Sequence, residues 1–411
     1  MKKEKIYPWV VVALLWFVAL LNYMDRQMLS TMRPAMMGDI AELQSAANFG
    51  RLMAVFLWIY GIASPVAGVV ADRINRKWLI TGSLFVWSGV TLLMGYATTF
   101  NQLYALRAIM GISEAIYIPA GLALIADYHE QKTRALAIGI HLTGLYVGQG
   151  LGGFGATLAN HFSWETTFHW FGIVGIIYCV VLILFLREKK ERIVKVSATD
   201  SENNPSVFKS ISFLLSSVFF WVILLYFAAP SLPGWATKNW LPTLFSANLS
   251  IDMSQAGPLA TITIAISALT GVIFGGILSD RWIQVNLRGR IYTGAIGLGL
   301  TIPSLLLLGF GHSFSTILVG ALCFGIGIGM FDANNMPILC QFVAPRYRAT
   351  AYGIMNMTGV FAGALITKAL GKSTDAGSLG VDFALLAVAV LIALTIQLLF
   401  LRPKTQNMDN K

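Results

Sequence analysis

Charge is what this sequence lacks most. Only 12% of its 411 residues are Asp, Glu, Lys or Arg, against about 25% in a soluble globular protein. With 56% hydrophobic residues, that deficit excludes a cytosolic globular enzyme and a disordered chain alike. Cysteine is also scarce. Cys179, Cys323 and Cys340 each sit in an apolar run, with no CxxC pair and no metal-ligand cluster, so neither disulfides nor a metal are expected. No G-x-x-x-x-G-K-[ST] nucleotide-binding segment occurs, since Gly371, Lys372 and Ser373 follow Ile366 rather than a glycine, which removes ATP as the energy source. No soluble catalytic constellation is visible, and nothing calls for a cofactor.

Long apolar runs fill the space. A helix crossing a bilayer needs about 20 mostly apolar residues. Twelve such runs can be read, near 9–29, 49–71, 78–97, 102–127, 134–159, 166–187, 217–246, 255–279, 290–310, 315–341, 349–370 and 381–401. The first is too long for a signal peptide, lacks a small-residue cleavage site, and continues into Asn22, Tyr23, Met24, Asp25 and Arg26, so it reads as a true span. The formal net charge of +10 reflects where Lys and Arg fall. They concentrate at the N-terminus and in alternate loops (Arg73, Arg76, Lys77, Lys132, Arg134, Arg187, Arg281, Arg288, Arg346), while Arg33, Arg51 and Lys372 lie opposite. The positive-inside rule then puts both termini in the cytosol. The basic balance is a topology signal, so nucleic acid is discarded as a partner.

Residues 188–215 interrupt the hydrophobic pattern with a charged and polar stretch. The expected fold is therefore an all-α integral membrane protein. Its twelve transmembrane helices form two pseudo-symmetric six-helix bundles, 1–187 and 216–411, joined by a cytosolic linker at 188–215. Two marks support the symmetry. Gly68, Asp72 and Arg73 close span two, and Gly276, Asp280 and Arg281 close span eight. Arg134, Ala135, Ala137 and Gly139 open span five, and Arg348, Ala349, Ala351 and Gly353 open span eleven.

These marks resemble the major facilitator superfamily, over nearly the whole chain. Gly68, Asp72, Arg73, Arg76 and Lys77 are similar to its signature loop after span two, with an echo at Gly276–Arg281. Electrostatics suggests a role for them. Spans five and eleven start on the cytosolic side, with their positive dipole ends there. Asp72 and Asp280 can each cap such a start in the opposite half, with Arg73, Arg76, Arg281 and Asp127 completing a latch. Two halves rocking about a central site give alternating access. Gly144, Gly148 and Gly152 of span five, Gly271 and Gly275 of span eight, and Gly359 and Gly363 of span eleven are expected to allow close packing between the halves.

Ionisable residues inside a membrane are costly and by default functional. Span one carries Asp25 and Arg26, and span four carries Arg107 and Glu114. At 1.5 Å rise per residue, Asp25 and Arg107 fall at similar depths, and Glu114 stands two turns from Arg107, about 10 Å along the axis. The four charges cancel. Protonating one carboxylate leaves a net positive site that favours an anion, so proton and anion binding assist each other. The competing reading is a structural ion-pair network. Arg107 is the best candidate to grip a substrate carboxylate, because a guanidinium offers two parallel donors.

Asn22, Tyr23, Asp25 and Arg26, with Arg107, Gly111, Glu114 and Pro119, resemble the anion:cation symporter branch, which includes hexuronate, aldonate, sialic acid and vesicular glutamate carriers. That resemblance implies proton coupling at Asp25 and Glu114, carboxylate recognition or gating at Arg107, and substrate contact at Tyr23. Trp240, Leu241 and Pro242 in span seven, and Asn356 in span eleven, also match its pattern. Span seven, with Pro230, Pro233 and Pro242, reads as a broken helix. Span ten departs from the branch, with Met336 before Pro337 in place of an aromatic, and with Asp332, Asn334 and Asn335 nearby. Tyr146, Gln149, Lys238, Asp332 and Asn335 are further ligand candidates. Asp332 either pairs with Lys238, binds ligand hydroxyls or an amine, or braces span ten. His141 reads as structural.

The expectation is a functional monomer in a bacterial cytoplasmic membrane. It imports a small organic anion, a hexuronate, aldonate or sialic acid, together with protons. The alternative is an exchanger of organophosphates or other anions, using Arg26, Arg107 and Lys238.

Overall fold

The computed structural model describes residues 2–188, 207–344 and 347–402, with side chains described except at 2–5, 68–69, 72–73, 131, 135, 207–209 and 349. Among the described residues the chain is helical throughout. In order come α1 (Lys2–Met36), a 3-10 turn (Ala41–Gln44), α2 (Ala46–Arg73), α3 (Arg76–Met94), α4 (Phe100–Tyr128), α5 (Gln131–Gly152), the short α6 (Gly155–Phe162) and α7 (Trp164–Phe185). A second set follows: the short α8 (Val207–Leu215), α9 (Val218–Leu249), α10 (Met253–Trp282), α11 (Gly289–Phe310), α12 (Phe314–Phe342), α13 (Arg348–Asp375) and α14 (Leu379–Phe400).

Sequence chemistry sets the helix starts. Thr99 and Gln102 form a reciprocal capping box at α4, Ser163 caps α7, Asp252 caps α10 and Ser313 caps α12. Among the described residues, eleven helices are long and apolar enough to cross a membrane. The predicted fifth span is not among them. It divides into α5 and α6. The last nine residues of the predicted linker form α8; residues 189–206 lie outside the described residues.

Helix pairing repeats between the two sets. In the first, α1 packs on α5, α4 on both α2 and α3, and α3 on α7. In the second, α9 packs on α13, α12 on both α10 and α11, and α11 on α14. The sets meet through α2 against α13 and α5 against α10.

The glycine stripes serve packing inside each set rather than between them, which corrects the expectation. A Cβ at Gly144 would lie 2.6 Å from the Trp16 carbonyl oxygen, and one at Gly148 would overlap that of Leu20, so the stripe seats α5 on α1. Gly359 and Gly363 seat α13 on Phe227 and Trp235 of α9, and Gly271 and Gly275 seat α10 on α12. Other glycines hold the sets together: Gly153 abuts Gly257, Gly50 abuts Thr367, and Gly371 abuts Ala46.

The repeated arginine now has a physical reason. Arg134 donates from Nε to the His129 carbonyl just past α4 at 3.3 Å, and Arg348 donates to the Val343 and Cys340 carbonyls at the end of α12 at 3.0 and 2.9 Å. A cation there satisfies orphan carbonyls and opposes the negative helix end. Helix α9 runs unbroken through Pro230, Pro233 and Pro242. A proline inside a membrane helix removes one hydrogen bond, and neighbouring groups can resupply it.

Candidate functional site

A cavity of about 260 Å³ lies between the two sets. That is slightly below the ~300–1,000 Å³ range of small-molecule pockets, so it suits a compact ligand. From the first set come Tyr23 and Arg26 on α1, Tyr60 on α2, and Tyr146 and Gln149 on α5; facing them are Ser231, Trp235 and Lys238 on α9, Asp332 on α12 and Asn356 on α13. Apolar walls come from Phe227 and Phe331. Most of the residues proposed from the sequence thus converge. Arg107 and Asn335 do not line the cavity, and both are buried.

Arg26 is the hub. Its Nε pairs with Oε2 of Glu114, which is fully buried. Its guanidinium also lies 5.1, 4.9 and 4.8 Å from the ring centres of Tyr23, Phe56 and Tyr60. Cation–π contacts of this kind contribute roughly 0.5–2 kcal/mol each. Tyr60 lies beside the Arg26 guanidinium and Asn22 beside the Glu114 carboxylate. The sequence therefore places an arginine in the cavity with its counter-charge buried behind it.

Arg107 takes another position. It sits 4.6 Å from the ring centre of Phe56, donates to the Met110 sulfur at 3.0 Å, and keeps Nε unpartnered. Asp25 accepts a hydrogen bond from Thr91 Oγ1 at 3.1 Å. The expected meeting of Asp25 and Arg107 is not an ion pair at 4.0 Å or less; the pair that forms is Arg26 with Glu114.

In the second set, Lys238 Nζ lies 4.8 Å from the centre of the Trp235 ring. Asp332 Oδ1 accepts from Asn335 Nδ2 at 3.2 Å, and Asn334 donates to the Met330 carbonyl at 2.8 Å. Lys238 and Asp332 both face the cavity, without an ion pair between them. Met336, where the branch often has an aromatic, does not line the cavity. His141 is fully buried beside Tyr117.

The cavity is closed at one end. Asp375, at the end of α13, accepts from the backbone N–H of Ala46 and Ala47 at 2.6 and 2.9 Å and from Ser45 Oγ at 2.7 Å, capping the start of α2 in the other set. Gln27 donates to the Lys238 carbonyl at 2.8 Å, Thr157 to that of Ser254 at 2.7 Å, and Thr261 to that of Gly150 at 2.9 Å. Phe49 packs on Trp240, and Trp58 on Phe361. The Gln27, Thr157, Thr261 and Phe49 contacts lie toward the Asp375 end, and Trp58 and Phe361 meet near mid-helix. At the opposite end, the pairs seen among the described residues lie within each set. Arg76 pairs with Asp127 within the first set. Asp280 is largely exposed and pairs at 3.5 Å with Arg290 of its own set, and Arg281 is exposed. The side chains of Asp72 and Arg73 lie outside the described residues.

The family model of the Major Facilitator Superfamily matches residues 15–367. The chain belongs to that superfamily. It is 26% identical over 379 residues to a probable chloroplastic anion transporter of Oryza sativa, covering 87% of this chain and 69% of the relative. It is 26% identical over 430 residues to the hexuronate transporter of Escherichia coli, covering 95% of this chain and 93% of the relative. Its fold matches a bacterial homolog of the human lysosomal transporter Spinster, solved inward-facing and unoccupied, with a TM-score of 0.81 at 20% identity over 97% of each chain. The chain is thus a multi-pass membrane protein whose relatives and fold are those of transporters.

Residues absent from the sequence reading also shape the site. Phe56 and Tyr60 form the aromatic wall around Arg26, and Trp235 supports Lys238. Phe56 and Tyr60 belong to an apolar run whose composition does not mark them. Gln27 had a signal, an amide inside span one directly after Arg26.

Proposed function

We propose that this protein is a proton-coupled importer of a sugar acid, a hexuronate, aldonate or sialic acid, in a bacterial cytoplasmic membrane. Twelve spans, with α5 as the fifth, form two bundles at 1–187 and 216–411 that rock about the cavity, and both termini are cytosolic. In that orientation the structure is sealed toward the exterior, and the disengaged Asp280 fits a latch released on the cytosolic side.

The observation that carries this reading is the Arg26–Glu114 pair, with Arg26 facing the cavity and Glu114 buried behind it. A ligand carboxylate and Glu114 compete for the same guanidinium. Protonating Glu114 releases Arg26 to the ligand, and a bound ligand favours the protonated acid. Each binding event promotes the other, as linkage requires. Asp25 and Arg107 form the second layer of this charge set. Tyr146, Gln149 and Asn356 offer the donors and acceptors that a polyhydroxylated ligand needs. Kinship with a hexuronate transporter supports the same class of ligand. Asp332 and Glu114 weigh against an organophosphate exchanger, since two carboxylates near the cations oppose a dianion.

The test is uptake of labelled glucuronate, galacturonate, gluconate and sialic acid into proteoliposomes, with and without an inward proton gradient. At least one acid should accumulate only with the gradient. A neutral hexose outcompeting every acid would overturn the assignment.

A further inference from the structure

Two prolines free carbonyl oxygens that the opposite set of helices then uses. Proline has no N–H, so the carbonyl four residues earlier loses its helical donor. Pro242 does this to Lys238 in α9, and Pro258 does it to Ser254 in α10. Both freed oxygens receive a side-chain donor from the first set. Gln27 Nε2 reaches Lys238 O at 2.8 Å, and Thr157 Oγ1 reaches Ser254 O at 2.7 Å. The same rule extends to helix ends at this seam. Thr261 reaches the carbonyl of Gly150 in the last turn of α5, and Asp375 takes two N–H groups from the first turn of α2. The Ala46 and Ala47 N–H groups have no partner within their own helix, and the Gly150 carbonyl is shared between Thr261 and the capping Gly153 N–H.

One of these bonds touches the cavity. Gln27 follows Arg26 directly in the chain, and Lys238 faces the same space. The bond between them fixes the backbones of the cavity's two cations, one from each set, relative to one another. Gln27 is itself buried, and its Nε2 also donates to Ser30 Oγ at 2.7 Å, which holds the amide in place. A neutral amide–carbonyl bond exchanges against water at small net cost, so it can form and break reversibly.

We infer that Gln27 is a positioning residue, whose bond to the proline-freed carbonyl of Lys238 holds the two cavity cations in register only while the Asp375 end is closed. Pro242 makes the contact possible by leaving that oxygen without a helical donor. Opening of the Asp375 end breaks the bond, hydrates the oxygen and lets Lys238 move away from Arg26. The inference rests on the alternating-access reading but requires no particular ligand.

The experiment is a mutant cycle on the full chain in nanodiscs. Spin labels at Ala41 and Ala376, both exposed at the Asp375 end, report its separation, with the three native cysteines replaced. Gln27→Leu is expected to raise the open-to-closed ratio about fivefold to tenfold, the worth of one lost hydrogen bond. Pro242→Ala returns an N–H to the Lys238 carbonyl. In that background Gln27→Leu should change the ratio less than about twofold, the mark of coupled residues. If Pro242→Ala does not insert, the Thr157→Val and Pro258→Ala cycle asks the same question at the second freed carbonyl. Two populations in the wild type that respond equally to Gln27→Leu in both backgrounds, or not at all, overturn this inference alone. A wild type with one distance under all conditions overturns alternating access and this inference together.

Discussion

The two sets of helices share a packing scheme, and a base and an acid recur on corresponding helices, beside Asp25 and Arg107 in the first set. In the first set these are Arg26 on α1 and Glu114 on α4. In the second they are Lys238 on α9 and Asp332 on α12. Both acids stand five residues before a proline, Pro119 and Pro337. The outcomes differ. Arg26 and Glu114 form a buried ion pair, whereas Lys238 and Asp332 both face the cavity unpaired, one against Trp235 and the other against Asn335. A guanidinium can meet a carboxylate and aromatic rings at once, whereas an ammonium is a compact point charge. The same architecture thus supports a closed pair that stores a charge and an open pair that can read a ligand.

The first way to break this comparison is to remove the stored charge. Glu114→Gln mimics the protonated acid, so it should abolish accumulation driven by a proton gradient while preserving counterflow of substrate. Proteoliposome assays of both modes decide it. Continued uphill transport would make Glu114 structural and move the proton to Asp25, Asp332 or His141.

Stability sharpens the contrast further. Arg26→Ala leaves a buried carboxylate without its partner, which typically costs about 3–5 kcal/mol, whereas Lys238→Ala breaks no ion pair. Thermal unfolding in detergent should show a large drop for the first and a small one for the second. Equal drops would erase the distinction between closed and open pairs.

Selectivity is the next measure. Asp332→Asn removes the negative charge from the open pair. Competition by hexose phosphates against a sugar acid should strengthen about tenfold, equivalent to ~1.4 kcal/mol, with inward proton coupling retained. An unchanged competition profile would leave Asp332 as a brace for Asn335.

The smallest effect concerns the two ends of the bundle. Asp375→Asn weakens a cap on a helix N-terminus, an interaction worth about 0.3–2 kcal/mol, and should favour opening at that end. Asp280→Asn disrupts only an exposed pair in the present conformation and should leave cysteine accessibility at the Asp375 end unchanged. A larger response from Asp280 than from Asp375 would contradict the closure seen here.

Much of this was legible in the chain itself. Scarce charge and long apolar runs required membrane helices, because a polar backbone in lipid must satisfy itself. Asp25, Arg26, Arg107 and Glu114 stood out because ions in such runs are expensive. The repeat of Arg134 at Arg348 marked the two-fold scheme, since each closes the end of a preceding helix. Other features belong to tertiary structure alone. Sequence spacing gives depth along a helix but not its rotation or its neighbours, so it suggested Asp25 with Arg107, while packing joined Arg26 to Glu114. Glycine spacing announced close approach without naming the partner, which proved to be α1 for the α5 stripe rather than the opposite set. The prolines of α9 read as breaks, because a sequence records the N–H that is lost but not the Gln27 side chain, over two hundred residues away, that takes up the Lys238 carbonyl. Cost is local and readable from composition; compensation is supplied by whatever the fold brings alongside, and only the three-dimensional structure decides that.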